Sequence, residues 1–234
     1  MTQEQINELN NKLQGVNTIE ILKIVSELFY NKITFASSLS YEDQVITHLI
    51  AEEKLPIQIF TLDTGRLFPE TYELIDRTYA RYQIPIQIYF PEVESVEQMV
   101  NTEGINLFYD SIDKRKLCCK IRKIKPLARA LKNSKAWITG LRHEQAVTRY
   151  NMQIVEWDTM HQLIKVNPLI NWTEKEIVDF VKKHNIPYNK LHDKNFPSIG
   201  CQPCTRAVTK GEDIRSGRWW WENPDQKECG LHKS

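Results

Sequence analysis

No sign of charge predominates in this chain: 31 lysines and arginines face 30 aspartates and glutamates, a formal charge of +1. That balance excludes a global electrostatic bias toward nucleic acid or a membrane surface, so any charge-based recognition must be local. No segment approaches the ~18 consecutive apolar residues of a membrane span. The first fifteen residues, MTQEQINELNNKLQG, are polar and hold no apolar signal core. The expectation is a cytoplasmic protein that neither crosses a membrane nor carries an export signal. Internal repeats and low-complexity linkers are lacking as well. Cysteine is scarce, and its count of five is odd, which argues against a disulfide scaffold. Present instead is 41% hydrophobic content over 234 residues, enough to bury a substantial core.

Strand-like and helix-like segments alternate. TIEILKIVSELFY (18–30) places Ile21, Ile24, Val25, Leu28 and Phe29 at helical spacing, and KITFA (32–36) reads as a short buried strand. A helix over 42–54 follows, with Val45, Ile46, Leu49 and Ile50 inward. Next come a strand in IQIFTL, a helix in FPETYELIDRTYARYQ with Pro69 near its start, a strand over 84–90, a helix around 120–132 and a strand in AWITG (136–140). This alternation predicts an α/β fold: a mostly parallel sheet with helices on both faces. QIVEWD and QLIKVNP read as two strands joined by a short turn, and TEKEIVDFVKKHN as a helix capped by Thr173 with Glu176 three residues on. From Ile186 onward the chain reads as loop. The expected organisation is one domain over 1–234, with an α/β nucleotide-binding core at about 18–185 and an irregular C-terminal extension at about 186–234. No role is legible for residues 1–17.

Five features carry chemistry. Ser37-Ser38-Leu39-Ser40-Tyr41-Glu42-Asp43 stands between a strand end and a helix start, where free N–H groups and the helix dipole attract an anion. Ser37, Ser38 and Ser40 add hydroxyl donors, although an ordinary serine-rich cap would look the same. The loop holds no glycine or lysine, so it is not a Walker-type loop. Thr61-Leu62-Asp63-Thr64-Gly65-Arg66 follows the next strand. Asp63 can accept from a ribose or adenine group, or the segment is a simple turn. Lys114 to Lys135 contains ten basic residues and no acidic one, around Cys118 and Cys119. Such surroundings lower thiol pKa values and offset the charge of a thiolate-bound metal centre. Cys201-Gln202-Pro203-Cys204 lets two thiolates converge, and the vicinal pair can supply two more ligands. Zinc, a 4Fe-4S cluster and a thioredoxin-like redox pair are the alternatives, with the Cys-Cys dipeptide favouring iron–sulfur. Last, Cys229 lies near the terminus, where His232 or nearby basic groups favour its thiolate; an incidental thiol on a frayed tail is the bland alternative. Arg215 and Arg218, beside three consecutive tryptophans, suit a doubly anionic group.

Taken in order, SSLSYED, LDTG, CCKIRKIKPL, ITGLRHEQAVTR, GCQPCTR, IRSGRWWWE and KECGLH resemble the assimilatory adenylyl-sulfate reductases, within the wider group of phosphoadenylyl-sulfate reductases and ATP pyrophosphatase-like folds. The resemblance runs from about residue 30 to the end. It implies a 4Fe-4S cluster on Cys118, Cys119, Cys201 and Cys204, and Cys229 as nucleophile. By the same analogy Lys123, Arg215 and Arg218 hold the phosphosulfate, Arg142 and Arg149 close on it, and the three serines line the nucleotide pocket. The implied reaction, part of sulfate assimilation and cysteine biosynthesis, converts adenosine 5′-phosphosulfate into sulfite and AMP through an enzyme S-sulfocysteine, with thioredoxin as reductant. The 3′-phosphorylated nucleotide is the competing substrate, and a zinc-stabilised nucleotide-binding protein without turnover the competing class. A homo-oligomer is compatible with the sequence, which does not specify one.

Overall fold

The computed structural model describes residues 1–145 and 149–223. Its centre is a six-stranded sheet of order β3-β2-β1-β4-β6-β5, with β1 at Ile33–Ala36, β2 at Gln58–Leu62, β3 at Ile86–Tyr89, β4 at Ala136–Ile138, β5 at Val155–Asp158 and β6 at Leu163–Val166. All neighbouring pairs are parallel except β5 with β6, the expected hairpin. Side-chain alternation along these strands sorts the core into two faces. Ile33, Phe35, Ile59, Ala136, Ile138, Ile164 and Val166 join one apolar cluster with helices α1 (Gln3–Leu13), α2 (Thr18–Leu28), α3 (Tyr41–Glu52) and α8 (Glu174–Lys183). Phe60, Trp137 and Leu163 point the other way, against Leu127 and Leu131 of α7 (Lys125–Leu131). The remaining helices are α4 (Pro69–Tyr82), α5 (Val93–Glu103) and α6 (Ile112–Cys119).

The predicted elements recur with small boundary shifts, and the box of Thr173 and Glu176 caps α8 reciprocally. Helices α5 and α6 have no counterpart in the sequence reading, and three further details differ. Leu28 faces solvent at 52% exposure while Leu22 is fully buried, because α2 ends at Leu28 and the buried stripe runs through Ile21, Leu22 and Val25. The helix expected around 120–132 is interrupted by a π turn at Lys120–Ile124. Pro126 has no N–H with which to continue the ladder, and the wider turn accommodates that missing donor. Residues 3–13 form a helix whose Thr2–Gln5 capping box starts it and whose Ile6, Leu9 and Leu13 are buried. From this helix Asn10 exchanges side-chain hydrogen bonds with the N–H and C=O of Val155, at 2.9 and 2.8 Å, occupying part of the edge strand β5.

Strand order reverses between β1 and β4: the chain leaves β1 toward β2 and β3, then returns to the other side. Such a switch point leaves a crevice beyond the carboxyl ends of the two strands, and ligands bind there in open α/β sheets.

Candidate active site

A cavity of about 530 Å³ opens at that switch point. Its walls are the loop after β1, the segment after β4, the end of β2 and the extension at 189–219. Ser37, Ser38 and Ser40 all line it, and each also has a local duty. Ser40 caps α3 by accepting from the Asp43 N–H at 3.4 Å, Ser37 accepts from the Leu39 N–H at 3.2 Å, and Ser38 donates through both N–H and hydroxyl to Asp43 at 2.6 Å. The loop is thus tied by its own helix. Asp43, buried beneath it, has its pKa pushed up to about 6, chiefly by burial, with the Ser38 bonds opposing the shift.

Gly140, just beyond β4, makes this arrangement fit. A Cβ there would stand 2.3 Å from Asp43 Oδ1 and 3.0 Å from Glu42 Cβ. Asp43 cannot swing away without losing both Ser38 bonds. Gly140→Ala is therefore expected to destabilise the protein by about 1–3 kcal/mol, the usual cost of overpacking, read by chemical denaturation; an unchanged midpoint would show that the loop gives freely.

Arg142 and Arg149 reach the same cavity. Arg142 is almost wholly buried and already paired: its Nε donates to Glu42 at 2.8 Å, and its other contacts include Glu144 and the Trp172 carbonyl, both at 3.2 Å. Arg149 donates to Gln145, which in turn donates to Glu42 at 2.9 Å. Asp63 is placed differently from its neighbours Leu62 and Thr64, which line the cavity. Its carboxylate accepts from the Gly65 N–H at 2.7 Å and from the Tyr72 hydroxyl at 3.0 Å. With Gly65 at φ +69°, the segment forms a tight turn in which one oxygen of Asp63 is the acceptor.

At its other end the cavity is cationic. Lys123, Arg215 and Arg218 line it beside Cys201. Arg218 is held by Ser198 Oγ and the Ile199 carbonyl at 3.4 and 3.3 Å, while its buried Nε has no partner among the described residues. Gly200 gives it room, since a Cβ there would fall 2.3 Å from the guanidinium.

Behind this wall all four cysteines meet. Cys118 and Cys119 end α6 just before the π turn, and Cys201 precedes, and Cys204 ends, the 3-10 turn at Gln202–Cys204. Together with Arg115, Arg122 and Lys123 they line a second, smaller space. Lys123, Cys201 and Trp219 line both spaces, so the cysteine set abuts the cavity directly. Burial pushes the Cys118 thiol up and the Cys204 thiol up to about 12. Burial also opposes ionisation of Cys201, yet Lys123, the Thr64 hydroxyl at 3.2 Å, Arg218 and Arg122 together hold its pKa below the usual thiol value. Among the described residues, no three Cys, His, Asp or Glu side chains gather closely enough to hold a single metal ion. The four cysteines line this one small space together.

Sequence reading missed the residues that hold this set in place. Arg122 donates to the Thr64 carbonyl at 2.6 Å, Thr64 touches Cys201, and Arg115 forms a bidentate pair with Glu222 at 2.9 and 2.7 Å. Arg115 lies in the basic segment, but nothing in its spacing names Glu222 as partner. The predicted Cys229 and His232 lie outside the described residues.

Comparison with known proteins bears on the whole arrangement. The adenosine 5′-phosphosulfate reductase of Allochromatium vinosum is 51% identical over 216 residues, covering 92% of this chain and 84% of the relative. That of Neisseria meningitidis serogroup B is 50% identical over 85% of this chain and 81% of its own. Among solved structures, phosphoadenylyl-sulfate reductase from Candida auris superposes with a TM-score of 0.77 at 30% identity, over 89% of this chain and 98% of that one. Candida glabrata FMN adenylyltransferase, at 15% identity and a TM-score of 0.56 over 97% of this chain and 80% of its own, shares the fold alone. Residues 32–207 match the phosphoadenosine phosphosulfate reductase domain, and the chain belongs to that family.

Proposed function

We propose that this chain reduces adenosine 5′-phosphosulfate to sulfite and AMP; the relatives named above are adenosine 5′-phosphosulfate reductases. The observation that carries the reading is one continuous cavity running from the serine loop at the switch point to Lys123, Arg215, Arg218 and Cys201. A nucleotide spans such a cavity with its anionic end among the cations. Cys229 attacks the sulfuryl sulfur as a thiolate; the bond from sulfur to the bridging oxygen breaks, and AMP leaves with that electron pair. Lys123, Arg215 and Arg218 stabilise the charge that moves onto the leaving phosphate. A dithiol carrier of the thioredoxin class then attacks Cys229 Sγ, releasing sulfite and forming a mixed disulfide, and its second thiol restores Cys229. The carrier is oxidised by two electrons while sulfur passes from the sulfate to the sulfite level.

Cys118, Cys119, Cys201 and Cys204 suit a 4Fe-4S cluster, because a cluster takes one thiolate per iron and these four cysteines line one space. The nearby cations Lys123, Arg122 and Arg218 fit the negative charge of such a centre. Bound there, the cluster supplies negative charge and rigidity beside the cavity. Purified without oxygen, the protein is expected to be brown with about four irons per chain, and to turn over adenosine 5′-phosphosulfate with thioredoxin in the cytoplasm's reducing conditions. A colourless zinc protein would sink the cluster, and faster turnover of the 3′-phosphorylated nucleotide would reassign the substrate.

A further inference from the structure

His192 is a cavity-lining group that neither the reaction nor the anion site uses. It sits on the 3-10 turn at Lys190–Lys194, and its ring lies nearly parallel to that of Tyr41, 4.0 Å away at 19°. Tyr41 opens α3 directly after Ser40, so the stack fixes the imidazole against the serine loop. The Nε2 atom is buried and has no hydrogen-bond partner among the described residues, a costly state for a polar atom unless a ligand or water completes it.

The chemistry of that atom can be worked out. Burial lowers the His192 pKa, against opposing effects of the Phe196 backbone, Glu42 and Asp193, so the ring is neutral near pH 7. The Phe196 backbone favours the protonated ring, and a neutral ring carries its single proton on one nitrogen and a lone pair on the other. A neutral imidazole whose proton is on Nδ1 offers a lone pair at Nε2. An adenosine nucleotide has few groups that donate: the adenine amino group and the ribose hydroxyls. Its phosphosulfate, ionised at neutral pH, only accepts.

We infer that His192 recognises the nucleoside half of the substrate, its Nε2 accepting one hydrogen bond from the amino group or a ribose hydroxyl. The inference rests on the cavity being the nucleotide site. Affinities of the oxygen-free holoprotein would be measured by calorimetry for AMP, purine riboside 5′-monophosphate, and the 2′-deoxy and 3′-deoxy forms of AMP. The wild type is expected to bind one analogue, the one lacking the donor, about three- to tenfold more weakly than AMP. His192→Phe keeps a ring to stack on Tyr41 but no acceptor, and should lose that discrimination while binding AMP more weakly by a similar factor. His192→Gln returns an acceptor near Nε2 and should recover part of it. Because each discrimination is a ratio within one protein, general destabilisation does not imitate the result. A wild type indifferent to all three analogues, or a His192→Phe variant that still discriminates, would overturn the inference and leave the cavity's assignment standing. Failure of the wild type to bind AMP would overturn both.

Discussion

Cys229→Ser is expected to abolish sulfite release, by on the order of 10³-fold or more, while leaving AMP binding and the brown colour as in the wild type. The size follows from removing a covalent nucleophile: a serine hydroxyl without an adjacent base is almost wholly protonated at neutral pH, and the charge stabilisation that remains cannot attack sulfur. The other four cysteines line the second space as the proposed cluster ligands; Cys201 also reaches the cavity with a lowered pKa, and its place in that ligand set is what keeps it from attacking sulfur. The measurement is oxygen-free turnover of adenosine 5′-phosphosulfate with thioredoxin, alongside calorimetric binding of AMP. Retained turnover would remove Cys229 from the reaction; lost colour would move it into the ligand set. A mass increase of one sulfonate group on the wild-type chain, trapped before the carrier is added and missing from Cys229→Ser, would identify the intermediate directly.

Much of this was legible in the sequence because local chemistry specified it. Strand and helix periodicity gave the alternation, Thr173 with Glu176 marked a helix start that forms as read, and the serine loop after β1 lies where an α/β sheet places its ligands. The four cysteines, separated by some eighty positions, lie around one space. What stayed hidden depends on contacts between distant segments or on what a segment lacks. Asp63 follows a strand end just as a ligand-binding residue would, and only the structure shows one of its carboxylate oxygens accepting from both Gly65 and Tyr72. The π turn needed the coincidence of a helix with Pro126. Residues 3–13 look polar because only Ile6, Leu9 and Leu13 are apolar and buried, a stripe too sparse to stand out among glutamines and asparagines. His192 carried no mark at all, since its meaning lies in a buried, unpartnered ring nitrogen on a cavity-lining residue.

The largest expected loss of stability comes from the Arg115–Glu222 pair. Arg115 rises from the middle of α6, three residues before Cys118, and Glu222 follows the tryptophan run, so the pair fastens the chain beyond Cys204 to the helix that ends in Cys118 and Cys119. Both side chains are nearly inaccessible, at 2% and 3% exposure, and the guanidinium also lies 4.6 Å from the ring centroid of Trp219. Arg218 approaches the same ring at 4.9 Å, which links this anchor to the cationic end of the cavity. Glu222→Ala removes the bidentate carboxylate from a buried guanidinium and is expected to cost about 3–5 kcal/mol, read as a lowered denaturation midpoint together with loss of iron during purification. Replacing both partners, Arg115→Met with Glu222→Leu, removes both buried charges together and should cost less than Glu222→Ala alone. A double variant worse than the single one would mean that the pair contributes more than its own neutralisation. A stable single variant with full iron content would show that the tryptophan run alone fastens the chain to α6.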